Sequence, residues 1–171
     1  MYQKTFIYLN VIFIFINHKF KKSTKSLWFD GSNQINCNIK KINDSLKNIG
    51  ELFVDITKLM PGIKVSKLVD QGANFVIIKT NEGFMKRKNI SIKIHASMIV
   101  LEFDEVYQAG KSITTKSHHL EKYTVNGSKV DHDLIISDVQ ASGFLGFFYR
   151  IFGKKSIGSA ILNSYKTFFE K

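Results

Sequence analysis

Cysteine and proline are nearly missing: Cys37 and Pro61 are the only examples in 171 residues. A lone cysteine excludes an internal disulfide framework and a cysteine-based zinc site. With no bridge that needs an oxidising compartment, the expected location is cytoplasmic, including peripheral attachment at a membrane. Cys37 falls in an expected strand, where a buried, inert thiol is the ordinary outcome. No internal repeat or low-complexity linker divides the body of the chain. Acidic residues are also few, 14 against 25 lysines and arginines, and the net charge of +11 suits anionic surfaces such as lipid headgroups. No nucleic-acid-binding motif accompanies that charge, so no nucleic-acid partner is expected. A phosphate loop is missing too: Gly143-Phe144-Leu145-Gly146 has no lysine and lacks the strand-to-loop spacing. What is abundant is apolar. A hydrophobic share of 44% with 23% charged residues describes a folded protein of one domain rather than a disordered chain.

Five of the positive charges lie in residues 1–25, on Lys4, Lys19, Lys21, Lys22 and Lys25, with no acid among them. Phe6 to Ile16 is an apolar run interrupted only by Asn10. As a helix it would span about 17 Å, whereas a bilayer core needs about 30 Å. The run has the length of a signal-peptide core, but no small-residue cleavage site follows it. Three readings fit this 1–25 extension. It is a start assigned upstream of the true domain or a disordered tail, an extra element packed on the domain, or a short, weak membrane anchor with a basic collar. Residues 26–171 form the domain proper.

Within that body, Leu27–Ile39 reads as a strand, with Phe29, Ile35, Cys37 and Ile39 on one parity. Ile42, Leu46, Ile49 and Phe53 then recur at helical spacing, and Asn43 or Asp44 can cap the start. A second short helix fits Asp55–Met60 and stops at Pro61-Gly62. Strands follow over Lys64–Asp70, Asn74–Glu82, Lys88–Met98, Ile99–Tyr107, Lys111–Thr124 and Ser128–Gln140. In the third of these, Ile90, Ile92, Ile94, Ala96 and Met98 share one face. Asn126-Gly127 is a hairpin signal. The last two strands are more polar, so one face of each is expected in solvent. Phe144 to Phe169 closes the chain as a helix about 39 Å long. Its apolar residues cover more than a narrow stripe, so something must cover it broadly, and only the sheet is large enough. Gly153 and Gly158 suggest a kink or a start-up turn.

The order of strand, two short helices, six strands and one long helix resembles the START-like superfamily, over Leu27 to Lys171. That group includes the birch-pollen-allergen fold, polyketide cyclases and coenzyme-Q-binding START proteins. Leu59 to Ile94, with Pro61-Gly62 after the second helix and a Gly-x-x-Lys step at Gly83 and Lys86, is similar to an accessory subunit of carbon-monoxide dehydrogenase. The ending, Ile157 to Lys171, is similar to the closing helix of that group. The resemblance implies an α+β helix-grip fold: a curved antiparallel sheet of about seven strands (β-α-α-β6-α) wrapped round a long C-terminal helix. It implies binding or transport of a hydrophobic small molecule, such as a lipid, a quinone or a polyketide-like compound, in a cavity between sheet and helix. No cofactor and no metal are implied. Two alternatives stay open: a cyclase- or hydrolase-type enzyme in the same fold, and an accessory protein that recruits a membrane or redox partner, as the likeness to the carbon-monoxide dehydrogenase group implies. The superfamily has no universal catalytic residues, so none is transferred.

The candidate ligand-binding residues are Ile92, Ile94, Leu101, Phe103, Glu105, Tyr107, Phe148, Ile161 and Tyr165. Glu105 shares the parity of Phe103 and Tyr107, and an inward carboxylate could act as an acid or base. The competing expectation is a filled core, because packed interiors leave few voids. His95, His118, His119 and His132 all fall in expected strands. Adjacent His118 and His119 point to opposite faces and cannot ligate one ion from a regular strand. The four read as solvent-facing, and Asp131, His132 and Asp133 as surface. Lys86-Arg87-Lys88 with Lys154-Lys155 could form a basic rim that attracts an anionic membrane surface.

Overall fold

The computed structural model describes residues 26–110 and 113–171, apart from the side chains of 143–145, 147–150 and 152. The expectations for residues 1–25 lie outside the described residues. The chain runs β1 (Leu27–Ile35), α1 (Ile39–Leu46), α2 (Ile49–Lys58), β2 (Ser66–Gly72), β3 (Phe75–Thr80), β4 (Gly83–His95), β5 (Met98–Ala109), β6 (Ile113–Asn126), β7 (Lys129–Ala141) and α3 (Gly143–Phe169). The strands form one antiparallel sheet in the order β1-β7-β6-β5-β4-β3-β2. Consecutive strands from β2 to β7 are therefore neighbours joined by hairpins, and α1 and α2 carry the chain from one edge of the curved sheet to the other.

The last helix lies across β1, β7 and β6 and also meets α2. Ile161, Leu162, Tyr165 and Phe169 are its buried residues against this face. One glycine sets how closely it approaches: a Cβ on Gly158 would run into the Phe29 ring of β1. The assigned helix is continuous through Gly153 and Gly158, where a kink or start-up turn was an expectation. The two chain ends of the sheet are tied together by reciprocal bonds. The Ser26 N–H donates to Asp138 Oδ1 at 3.0 Å, and the Asp138 N–H donates to the Ser26 carbonyl at 2.9 Å. The hairpin signal at Asn126-Gly127 is matched by a turn with Gly127 at φ 62°, a left-handed value that glycine adopts without strain.

Three boundaries differ from the sequence reading, each for a local reason. The first strand ends at Ile35, because Asn38 leaves the extended path to cap α1, its side chain accepting from the Lys40 N–H at 2.8 Å. Cys37 accordingly sits half-buried in the link, not in a strand. The helical face of Ile42, Leu46, Ile49 and Phe53 is shared between two helices that break at Lys47–Asn48. In β4 the pairing register shifts between Lys88 and Ser91, where Asn89 takes φ 55°. This bulge moves the inward face from Met85 and Arg87 to Ile90 and Ile92. Consequently the run Lys86-Arg87-Lys88 does not form one basic rim: Arg87 is buried while both lysines are exposed.

Candidate functional site

A cavity of about 210 Å³ lies between α3 and the sheet. Ile157 and Ile161 of α3 and Ile63 from the loop after α2 line it, with Trp28, Met85 and Ile136 on the sheet side. The wall changes character where β5 meets β6. Pairing sets Glu105 opposite Ser117, Tyr107 opposite Thr115 and Phe103 opposite His119. Direct partners project from one face, so Glu105, Tyr107, Ser117 and His119 converge on the cavity.

Glu105 is not an isolated inward acid. Its Oε2 accepts from Arg87 Nε at 2.9 Å, and the two side chains are only 13% and 5% exposed. The guanidinium also lies over the Phe53 and Phe103 rings, 4.1 and 5.0 Å from their centroids. Burial works against the charge of Arg87, but the Glu105 carboxylate more than offsets it and holds the arginine pKa above its ordinary value. The pair is thus a charged but mutually neutralised unit.

His119 takes the opposite state. Burial pushes its pKa below the ordinary 6.5, with Glu105 opposing and Arg87 reinforcing the shift. The ring is stacked on Phe103 at 4.8 Å, and its Nε2 lies 2.9 Å from Ser117 Oγ. A neutral imidazole with its proton on Nδ1 accepts there from the serine hydroxyl. Its Nδ1 is buried without a hydrogen-bond partner. Tyr107 is pushed up to about 12, chiefly by burial, and donates to Glu82 Oε2 at 2.9 Å. At neutral pH it is a phenol.

A second buried polar group lies under the C-terminal half of α3, away from the cavity lining. The Tyr123 hydroxyl donates to Glu121 Oε2 at 2.5 Å, and His132 Nε2 lies 3.5 Å from the same oxygen. Tyr123 stacks on His132 at 4.5 Å, and Tyr165 meets that ring edge-on at 5.2 Å. Burial favours the neutral form of Glu121, but contacts with His132, Tyr123 and Tyr165 outweigh it and hold the carboxyl below its ordinary pKa.

Of the sequence candidates, Glu105, Tyr107 and Ile161 line the cavity. Leu101, Phe103 and Tyr165 are buried in the filled core, outside its lining. Ile92 is partly buried against that core. Ile94 is a correction: it pairs with buried Ile99 and so faces the inner side, but it lies at the strand's end and is 56% exposed. The Phe148 side chain lies outside the described residues. The histidine reading also needs correction. His95 is exposed and His118 lies between Glu102 and Asp104, at 3.1 and 2.9 Å, but His119 and His132 are buried. Arg87, Ser117 and Glu121 were likewise missed. A signal existed for His132, since Val130, His132, Leu134 and Ile136 form one apolar parity with the histidine inside it. Among the described residues no group of three or more histidine, cysteine or carboxylate side chains could hold a metal ion. No described helix is long and apolar enough to cross a membrane.

No family model matches the chain, and no curated protein matches it. Solved structures do. A hypothetical protein of Helicobacter pylori superposes with a TM-score of 0.58 at 9% identity, over 87% of this chain and 90% of that one. A STAR-related lipid transfer protein of Xanthomonas axonopodis gives 0.54 at 9% identity, over 83% and 85%. The lipid transfer and protein localization domain of human StarD13 gives 0.50 at 14% identity, over 82% and 75%. The chain therefore has the START-like helix-grip fold.

Proposed function

We propose that the chain binds a small, uncharged, largely apolar molecule that carries one hydroxyl or carbonyl group. The observation that carries this reading is the cavity wall, apolar around α3 and the loop after α2 and polar along the β5–β6 seam. Such a lining is the ordinary form of a small-molecule site. Charge balance supports an uncharged ligand, because Arg87 and Glu105 neutralise each other and His119 is neutral. Ser117 and His119 supply hydrogen-bonding groups for one polar atom. Volume decides the size class. The 210 Å³ of this cavity is below the roughly 300–1,000 Å³ of drug-sized sites, which suits a single ring or short chain better than a two-chain lipid. The likeness to proteins named for lipid transfer supports apolar cargo. Native mass spectrometry of gently purified protein is the test. A co-purified small molecule is expected, and Ile161→Trp, which fills the cavity, should lose it. A clean apo mass, with no binding of a short-chain fluorescent ligand, would remove the reading.

A second reading is favoured by one contact. Ser117 Oγ sits 2.9 Å from Nε2 of a buried, neutral His119, a nucleophile beside a base, with Glu105 directly across the strand pair. On this reading the site performs cyclase- or hydrolase-type chemistry on its bound molecule. Turnover of small aryl esters or enolisable ketones, lost in both Ser117→Ala and His119→Gln, would support it. Ligand binding without turnover would leave the carrier.

A further inference from the structure

We propose that the outward face of β2–β4, with the loop leading into β2, docks on an anionic lipid bilayer. Lys67 of β2 is the direct partner of Lys79 of β3, and Lys79 is the direct partner of Phe84 of β4. Direct partners project from the same face, so these three side chains form one row, and all are exposed. The row faces outward because the alternating positions Ile78, Thr80 and Met85 are buried.

Like charges placed directly opposite one another destabilise a sheet. Among the described residues Lys64, Lys67, Lys79 and Lys86 form no ion pair with a carboxylate. The opposed lysines are an electrostatic burden on the free chain that an anionic partner relieves. Apolar groups stand among them: Phe84 is 47% and Val65 40% exposed. Ammonium groups at headgroup level with a ring entering the acyl boundary are what a bilayer surface accommodates. A nucleic acid or an acidic peptide would use the lysines but gain less from Val65 and Phe84 as exposed apolar surface.

The position also favours a bilayer. Asn81 ties the loop before β2 to the β3–β4 turn, accepting from the Lys64 N–H at 2.8 Å and donating to the Gly62 carbonyl at 3.2 Å. Pro61, Ile63 and Glu82 of this same loop and turn line the cavity. A bilayer seated on the lysine row therefore meets the rim through which an apolar molecule would pass. The inference does not depend on what the cavity holds, since Lys67, Lys79 and Phe84 are not among its lining residues.

Co-sedimentation of the full chain with phosphatidylcholine vesicles, with and without phosphatidylserine, tests it. Binding is expected only with phosphatidylserine and should weaken as salt rises. Lys67→Gln and Lys79→Gln should each weaken it about fivefold, the effect of removing one basic group near an anionic surface. Phe84→Ser should weaken it with the salt dependence unchanged. Whatever residues 1–25 contribute is common to all these chains. Thermal melting of the two lysine variants should hold or rise, because a like-charge pair is removed. Equal binding to both vesicle types, or undiminished binding by the Lys67→Gln/Lys79→Gln double variant, would overturn the proposal. Lysine-dependent binding of an oligonucleotide or an acidic peptide without any vesicle binding would also overturn it.

Discussion

His119 and Glu121 stand two positions apart on the same strand, both buried and both with pKa values lowered, but in opposite charge states. Their effects on stability have the same sign and separate in pH. Below 6.5, its ordinary value, His119 takes up a proton in the unfolded chain before it does so in the folded one. Its contribution is therefore complete above that pH and declines as pH falls through it. Glu121 is charged in the fold, so its contribution is complete above its ordinary 4.5 and is lost as pH falls through the lowered folded value. His119→Gln can still bond Ser117 and has no proton to gain. Its melting temperature should vary less between pH 6.5 and 4.5 than that of the parent, with the steep decline below 4.5 retained. Parallel pH profiles for the two proteins across the upper window would refute the buried neutral imidazole.

At the scale of elements, the approach of α3 to β1 depends on Gly158. In an exposed helix, glycine to alanine stabilises by about 1 kcal/mol through backbone propensity. Here the added methyl meets the Phe29 ring, which is itself only 7% exposed and has little room to yield. Overpacking of this kind costs about 1–3 kcal/mol, so Gly158→Ala should lower the urea midpoint rather than raise it, with the slope unchanged. The order of elements was legible in the sequence because each has a clear period: alternation in β5, three-four spacing in α3, and a turn at Asn126-Gly127. The polar half of the site was not. Thr115, Ser117, His119, Glu121 and Tyr123 occupy the inward parity of β6, where hydrophilic residues read as a solvated face. Arg87 was hidden by the bulge at Asn89, which reverses the facing of β4 partway along and leaves the arginine inside a run of exposed lysines. Periodicity reports which residues share a face, but the covering of that face by α3 is a tertiary fact that alternation alone does not contain.

At the scale of the molecule, one helix covers most of the inner face of β1, β7 and β6. A chain ending at Ala141 would leave Ile35, Leu134 and Ile136 without the α3 residues Ile161, Leu162, Tyr165 and Phe169 that now bury them with the rest of the core. It should lose cooperative thermal unfolding and bind a hydrophobic dye, measured by circular dichroism and fluorescence. A sharp melt in the truncated chain would show that α3 is an accessory rather than the centre of the core. The bond pair between Ser26 and Asp138, 112 positions apart, has a different bearing. The strand of the sheet synthesised first has its partner in the strand synthesised last, so β1 emerges from the ribosome long before β7 exists. Closing so long a loop is slow, and in the interval the unpaired edge of β1 is open to pairing with other chains. Nascent-chain yield should therefore depend on how long β1 waits, which makes translation speed between the two strands a determinant of how much protein reaches the native state.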